Sequence, residues 1–168
     1  MRPTFENKFC APGELTVRST LLDRKRVFTN GVFDVLHRGH VTYLAEARAL
    51  GGSLIVALNA DASVKRLGKG DDRPINTLED RMAVIASLEC VSLVTWFEED
   101  TPLQRILEAR PDALVKGGDW AIDKIVGGAE VKSWGGSVHA IAFQFERSTT
   151  ETLAKIRRSV PSPGSGEG

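Results

Sequence analysis

The stretch from Val27 to His40, VFTNGVFDVLHRGH, links a short apolar run to the start of a helical pattern through a glycine. Val27, Phe28 and Thr29 begin a predicted strand that ends near Asn30-Gly31. From His40 to Leu50 apolar residues recur at helical spacing, and the glycine pair 51–52 is typical of a helix end. The stretch therefore predicts a strand, a tight turn and a helix in succession.

The same alternation of strand and helix patterns continues along the chain. The uninterrupted apolar run SLIVAL is typical of a strand buried on both faces. Further strands are predicted at Ser53–Leu58, Val91–Trp96, Asp112–Lys116 and Ser137–Ala142, and further helices from Thr77, from Thr101-Pro102, around Ala129–Trp134 and from about Thr149 to Arg158. Five short strands separated by helices predict an α/β fold, a single doubly wound (Rossmann-like) domain with a five-stranded parallel sheet.

The length of 168 residues suits one domain. Residues 1–24 show weak periodicity and are interpreted as an N-terminal arm, residues 25–160 as the folded domain, and residues 161–168 (PSPGSGEG) as a disordered tail. The segment 61–76 is polar and punctuated by glycines, and Asp61 at its start is a candidate helix cap.

Composition excludes several classes of partner. Hydrophobic residues at 42%, charged residues at 26% and a formal net charge of zero are ordinary globular values and give no sign of a nucleic-acid partner. No apolar stretch approaches the ~20 residues of a membrane span, and we expect no secretory signal and no membrane association. Cys10 and Cys90 are expected to be reduced thiols, with one disulfide as the alternative.

The histidines of the opening stretch indicate a phosphate site. Ligands of open parallel sheets bind outside the carboxyl ends of the strands. His37 and His40 are three residues apart and project to one side of the helix start, where free N–H groups and the helix dipole favour anions. Gly31 and Gly39 allow the backbone to approach a ligand closely. Phosphoryl-type transfer needs positioning and charge stabilisation rather than a protein nucleophile, and two imidazoles supply both.

Two other interpretations of the histidine pair remain open. A histidine near a helix start is often only a cap or a surface residue. The His-x-x-His spacing also suits zinc, but a structural zinc site requires four ligands, and only His139, distant cysteines and scattered carboxylates remain to complete one. We therefore expect no protein-bound metal.

The segment Asn30–Asp34 followed by His37–His40 resembles the signature of the HxGH cytidylyltransferase-like superfamily, whose members transfer AMP or CMP from a nucleoside triphosphate to a phosphate ester. Within it the chain most resembles the D-glycero-β-D-manno-heptose 1-phosphate adenylyltransferases, or ADP-heptose synthases. The stretches that carry this resemblance are FTNGVFDVLHRGHVTYLAEARALG, VALNADASVKRL, RPINTLEDRMAVIASL, FEEDTP, DALVKGGDW and RSTTETLAKI.

The resemblance implies AMP transfer from ATP to the heptose 1-phosphate, giving ADP-heptose and pyrophosphate for lipopolysaccharide core synthesis. Mg²⁺ is expected on the ATP phosphates. The implied catalytic residues are His37, His40 and Lys69. The implied ATP-binding residues are Asn30, Gly31, Phe33, Gly39, Lys65, Arg81, Arg147, Ser148, Thr149 and Thr150. The implied sugar-phosphate residues are Asp34, Asn59, Lys116, Gly117 and Asp119.

Several of these residues have an alternative interpretation. Lys65 and Lys69 are also typical of a solvated loop, and Arg81 of a surface ion pair. Asp34 is expected to orient a histidine, bind a sugar hydroxyl or stabilise its turn. Ser148 with Glu151 also fits a helix capping box.

The late motif from Phe145 to Thr150, FERSTT, lacks the Gly-Ile pair of cytidylyltransferase relatives, which disfavours CTP as substrate. The alternatives are a cytidylyltransferase acting on glycerol 3-phosphate or a similar ester, and a nucleotide-binding module without activity. The resemblance also implies a homodimer, a separate heptose kinase upstream, and the cytoplasm of a Gram-negative bacterium.

Overall fold

Five parallel strands form the centre of the computed structural model, which describes residues 3–68, 70, 72–145 and 149–159. The strands are β1 (Arg26–Gly31), β2 (Ser53–Asn59), β3 (Leu93–Phe97), β4 (Ala113–Gly117) and β5 (Ser137–Ile141). The helices are α1 (Leu15–Thr20), α2 (Arg38–Arg48), α3 (Asp61–Arg66), α4 (Leu78–Ser87), α5 (Leu103–Ala109), α6 (Gly128–Ser133) and α7 (Thr149–Ser159).

The strand order is β3-β2-β1-β4-β5, with β1 in the middle. Phe28 of β1 pairs with Ile55 of β2 on one side and with Leu114 of β4 on the other. The predicted five-stranded parallel sheet is therefore confirmed. Because the chain runs outward from β1 to β3 and then crosses back to β4, the strand order reverses beside β1, and a crevice opens at the carboxyl ends of β1 and β4.

Helices cover both faces of the sheet. On one face α2 and α4 bury residues such as Leu44 and Ile85 against β1 and β2. On the other face Leu15, Ile106 and Val131 come from α1, α5 and α6. All seven residues of β2 are buried, as its uninterrupted apolar run predicts. Each such side chain contributes roughly 1.5–3 kcal/mol of transfer free energy, so this core holds the strand ends in place.

The N-terminal segment differs from the arm that the sequence indicates. Residues 3–24 contain two short 3-10 turns and α1, and they pack onto the domain. Phe9 forms a parallel bridge with Val94, and the Cys10 backbone N–H donates to the Val94 carbonyl at 2.9 Å. Leu15 is fully buried. Short 3-10 turns do not produce the 3.6-residue periodicity of an α-helix, so the sequence pattern does not indicate that this segment packs onto the domain.

The polar segment after β2 is partly helical. Residues 61–66 form α3, in which Ser63 and Val64 are buried; its N-cap is Ala60, and Asp61 is the first helical residue. The start of α4 agrees with its predicted capping pattern, because the Thr77 side chain accepts a hydrogen bond from the Asp80 backbone N–H at 3.3 Å. Lys69 and the predicted tail at 161–168 lie outside the described residues.

Within the described ranges, none of the helices combines the length and the apolar character required to cross a membrane. Cys10 is a buried free thiol and Cys90 a half-buried one.

Candidate active site

The chain leaves β1 through a constrained turn. Phe33 has a φ of 47°, an uncommon conformation for a bulky residue, which suggests a functional constraint. Its ring lies against Gly31, where an added Cβ would come within 2.8 Å of a ring carbon. The same ring meets the imidazole of His40 edge to face, with 5.3 Å between ring centroids. Glycine at position 31 therefore allows Phe33 to support His40.

The two histidines lie together at the start of α2. His37 is the N-cap in extended conformation and His40 lies in the first turn, and their rings stack with 3.8 Å between centroids and 21° between planes. Gly39 separates them. A Cβ on Gly39 would lie 3.1 Å from the His37 ring and 3.2 Å from the Phe145 carbonyl oxygen. The prediction that both histidines project to one side is confirmed.

Burial, and to a smaller extent the neighbouring His37, lower the pKa of His40 to about 4, although a hydrogen bond involving the Val35 backbone acts in the opposite direction. In the free protein His40 is therefore neutral near pH 7. A triphosphate above the ring would favour the protonated form, because a nearby negative charge raises the pKa of a base. Protonation of His40 and binding of a polyanion would thus be coupled.

A cavity of about 410 Å³ opens over the two histidines. Thr149, at the start of α7, reaches it from the far side, and its hydroxyl donates to the Val35 carbonyl oxygen at 3.3 Å. Two helices, α2 and α7, therefore begin at the same space, which suits an anion. The predicted residues that line this cavity are Asn30, Gly31, Phe33, Asp34, His37, His40, Lys116, Gly117, Thr149 and Thr150. Predicted ATP-binding residue Gly39 lies beneath it, between the histidines.

A second cavity, of about 450 Å³, adjoins the first. Lys116 and Trp120 line both, and the Lys116 ammonium lies 5.8 Å from the Trp120 ring centroid. The indole N–H of Trp120 donates to the Gly117 carbonyl oxygen at 3.1 Å, which fixes the ring at the boundary. Predicted residue Asn59 lines the second cavity, as do the polar residues Asp100, Thr101 and Lys124, which the sequence reasoning missed.

Asp34 is engaged by the segment before α4. Its buried carboxylate accepts hydrogen bonds from Arg73 Nε at 2.5 Å and from the backbone N–H groups of Ile75 and Asn76 at 2.9 Å. Burial alone would raise the pKa of Asp34, but these three donors outweigh it and hold the pKa below its usual value. Of the three roles that the sequence leaves open, the contacts support stabilisation of the turn. Arg73, which lines the first cavity, is a cation that sequence reasoning missed.

Arg81 lies away from both cavities. Its side chain is fully buried, and its guanidinium donates to four oxygens within 3.1 Å. These are the carbonyls of Val32, Asn59 and Asn76 and the carboxylate of Asp61. The structure therefore does not bring Arg81 to the phosphate site, because its donors already bind the ends of β1 and β2 and the start of α4. Its role here is to hold the carboxyl edge of the sheet together.

The remaining predicted residues divide into two groups. Lys65, on α3, and Asp119, after β4, are exposed and line neither of the two cavities. Lys69, Arg147 and Ser148 lie outside the described residues. Among the residues that the structure describes, no group of three histidine, cysteine or carboxylate side chains is arranged to hold a metal ion.

A parallel sheet with a glycine turn, a histidine pair at a helix start and a second helix start across a cavity is typical of nucleotide-binding α/β proteins, and the first strand–helix turn suits an anion. Residues 28–160 match the family model described as cytidylyltransferase-like, and the chain belongs to this family. The resemblance predicted from the motif is confirmed.

Two curated relatives show how far the similarity extends. The D-beta-D-heptose 1-phosphate adenylyltransferase of Bordetella bronchiseptica is 57% identical, over 92% of this chain and 96% of that protein. The bifunctional protein HldE of Hahella chejuensis is 56% identical over 80% of this chain, which corresponds to 28% of the length of that protein. The similarity to the first relative thus extends over nearly the whole of both chains.

Solved structures support the same fold. A lipopolysaccharide core biosynthesis protein from Thermoplasma volcanium is 29% identical with a TM-score of 0.58, covering 73% of this chain and 98% of that one. A pantoate-beta-alanine ligase from Francisella tularensis has a TM-score of 0.54 at 15% identity, covering 84% of this chain and 68% of that one, and this likeness concerns the fold alone.

Proposed function

We propose that this chain is an adenylyltransferase that moves AMP from ATP to D-glycero-β-D-manno-heptose 1-phosphate, giving ADP-heptose and pyrophosphate for lipopolysaccharide core synthesis. The observation that carries the proposal is the stacked pair His37–His40 beneath a cavity at the start of α2. The near full-length similarity to a heptose 1-phosphate adenylyltransferase supports the choice of substrates.

The two cavities divide the substrates between them. ATP occupies the first cavity, with its phosphates over His37 and His40 and near the start of α7. The sugar phosphate occupies the second, where Asn59, Asp100 and Thr101 offer hydrogen-bonding groups to its hydroxyls and Lys124 offers a cation to its phosphate. Lys116 lies where the cavities meet, close to both phosphates. This arrangement brings the reacting groups together, which supplies much of the rate enhancement in phosphoryl-type transfer.

In the reaction an oxygen of the heptose phosphate attacks the α-phosphorus of ATP. The new P–O bond forms as the bond from the α-phosphorus to the α,β-bridging oxygen breaks, and pyrophosphate leaves with that electron pair. His37 and His40 donate hydrogen bonds to phosphate oxygens and stabilise the charge that develops in the transition state. Arg73 lines the same cavity as an ion pair with Asp34, and Lys69 is proposed to add a positive charge. No protein nucleophile takes part.

Magnesium enters this proposal as part of the substrate. Two carboxylates line the cavities, and both are engaged: Asp34 by Arg73, and Asp100 by Arg66 Nε at 2.7 Å. Mg²⁺ retains several waters and prefers substrate phosphates to protein cages. The residues present therefore fit a MgATP complex in which the phosphates carry the ion.

The proposal also covers the enzyme that supplies the sugar phosphate, the oligomeric state of the protein and its location in the cell. A kinase that phosphorylates the anomeric hydroxyl is one source of a sugar 1-phosphate, and we propose that a separate heptose kinase acts upstream. Val17 of α1 and Leu21, which directly follows this helix, are 66% and 79% exposed, which supports a contact with a second copy in a homodimer. ATP as substrate favours the cytoplasm, and the bacterial relatives favour a Gram-negative host.

Pyrophosphate release tests the proposal, with ATP or CTP offered in turn to either heptose 1-phosphate or glycerol 3-phosphate. We expect release only with ATP and the heptose phosphate. Release only with CTP would reject the adenylyl assignment in favour of a cytidylyltransferase. Tight ATP binding without release in any combination would instead indicate a nucleotide-binding module.

A further inference from the structure

Arg38, the exposed residue between the two histidine positions, contacts the chain that leads to α7. Its guanidinium carbon lies 3.9 Å from the centroid of the Phe145 ring. We propose that Arg38 is a positioning residue, which holds residues 143–145 against α2 and thereby sets Thr149 and Thr150 against the ATP phosphates. The identity of the ligand in this proposal rests on the proposed function, whereas the contact between Arg38 and Phe145 does not depend on it.

Three contacts hold residues 143–145 along α2, and we call them the α2 clasp. The first is the cation–π contact of Arg38 with Phe145. Two further contacts join Tyr43 to Phe143, edge to face at 5.6 Å, and Glu46 to Gln144 through a hydrogen bond. The clasp therefore spans more than two turns of one helix and fixes three consecutive residues, so it determines the path of the chain after β5.

The clasp acts at the edge of the ATP site. Phe143 lines the first cavity together with Thr149 and Thr150. Phe145 precedes Thr149 by four residues, and because a residue spans at most about 3.6 Å, the position of Phe145 limits where α7 can begin. The Phe145 carbonyl oxygen also packs over Gly39, and Thr149 bonds back to Val35. Both ends of this short connection are thus tied to the histidine motif.

The contact explains why an arginine suits position 38. A guanidinium is planar and weakly hydrated, so it stacks on an aromatic face better than an ammonium does. Because Arg38 is exposed, replacing it leaves the buried core untouched. Its removal should therefore loosen residues 143–145 without unfolding the domain, and ATP binding should weaken more than the chemical step.

The test uses Arg38→Met, Phe145→Leu and the double variant. Each single change is expected to raise the KM for ATP about three- to tenfold, the scale of a cation–π contact. The double variant is expected to be no worse than either single one, with kcat and the KM for the sugar phosphate within about twofold of the wild type. Arg48→Met is the matched control, because Arg48 lies on the same helix and donates to the Gly51 carbonyl at the far end.

Three results would overturn the proposal. An unchanged KM for ATP would exclude a role for the contact. Additive effects in the double variant would indicate that Arg38 binds ATP directly. A fall in kcat together with a rise in the KM values for both substrates would indicate general damage to the enzyme.

Amide hydrogen exchange in α7 from Leu153 onward, measured without substrates, separates this proposal from the proposed function. Faster exchange in Arg38→Met supports the clasp even if the wild type forms no ADP-heptose. Unchanged exchange contradicts the clasp even if the wild type does form ADP-heptose.

Discussion

The imidazole rings of His37 and His40 stack at 3.8 Å over the start of α2, and the pKa of His40 falls to about 4. Burial is the main cause of this low pKa and the neighbouring His37 adds to it, so His40 is neutral near pH 7 in the free protein. A bound polyanion would raise the pKa of His40 from this low value, because a nearby negative charge favours the protonated imidazole.

The depressed pKa of His40 makes the stability of the fold depend on pH. An unfolded histidine titrates near 6.5, so between about pH 6.5 and pH 4 the unfolded chain binds a proton that the native one does not. The contribution of His40 to the free energy of unfolding is fully present above pH 6.5 and is lost as the pH falls through this window. Urea unfolding between pH 4.5 and 7.5 should show that the free energy of unfolding falls more steeply with decreasing pH for the wild type than for His40→Asn. Equal slopes would contradict the assignment.

Replacing either histidine should impair turnover far more than folding. We expect His37→Ala and His40→Ala each to lower kcat about 10²–10³-fold, as when a donor to the transition state is removed. Thermal unfolding should remain near the wild-type midpoint, because both rings lie at the rim of a cavity. His139→Ala is the matched control, since His139 lies on β5 and bonds to Ser137. A His40→Ala enzyme with near wild-type kcat would exclude the catalytic role.

The buried Arg81 should matter for stability rather than for ATP affinity. Arg81→Met removes the donor to four oxygens, three of them main-chain carbonyls, and leaving a buried acceptor without its donor typically costs about 1–3 kcal/mol of unfolding free energy. Arg66→Met, which breaks the exposed pair with Asp100, should cost less than about 1 kcal/mol. Denaturant unfolding measures both. A similar small loss in the two variants would contradict the structural role of Arg81.

The second cavity should bind the sugar phosphate. Lys124→Ala is expected to raise the KM for heptose 1-phosphate about tenfold or more while the KM for ATP stays unchanged, because a charge-assisted contact is lost only at that cavity. Lys132→Ala, an exposed lysine on α6 that lines neither cavity, is the control. If Lys124→Ala raised only the KM for ATP, the second cavity would be the ATP site and the first the sugar-phosphate site.

Local patterns predict the sheet and the histidine pair, because both depend on spacing along the chain. The apolar run at β2 and the three-residue interval between His37 and His40 are examples. Arg73 and Arg81 show the limit of such reasoning. Arg73 lies in the polar segment and Arg81 in the first turn of α4, yet the first pairs with Asp34 at a cavity and the second is buried among four oxygens. Which arginine faces the ligand depends on contacts between residues 20 to 50 positions apart, which spacing does not encode.

The central claim is that a heptose phosphate oxygen attacks the α-phosphorus of ATP. Heptose 1-phosphate carrying ¹⁸O on its three non-ester phosphate oxygens, incubated with unlabelled MgATP and the enzyme, tests it by mass spectrometry of the products. The account predicts ADP-heptose that retains all three labelled oxygens, one of them now in the bridge, and pyrophosphate without label. Labelled pyrophosphate, or consumption of ATP without labelled ADP-heptose, would contradict it.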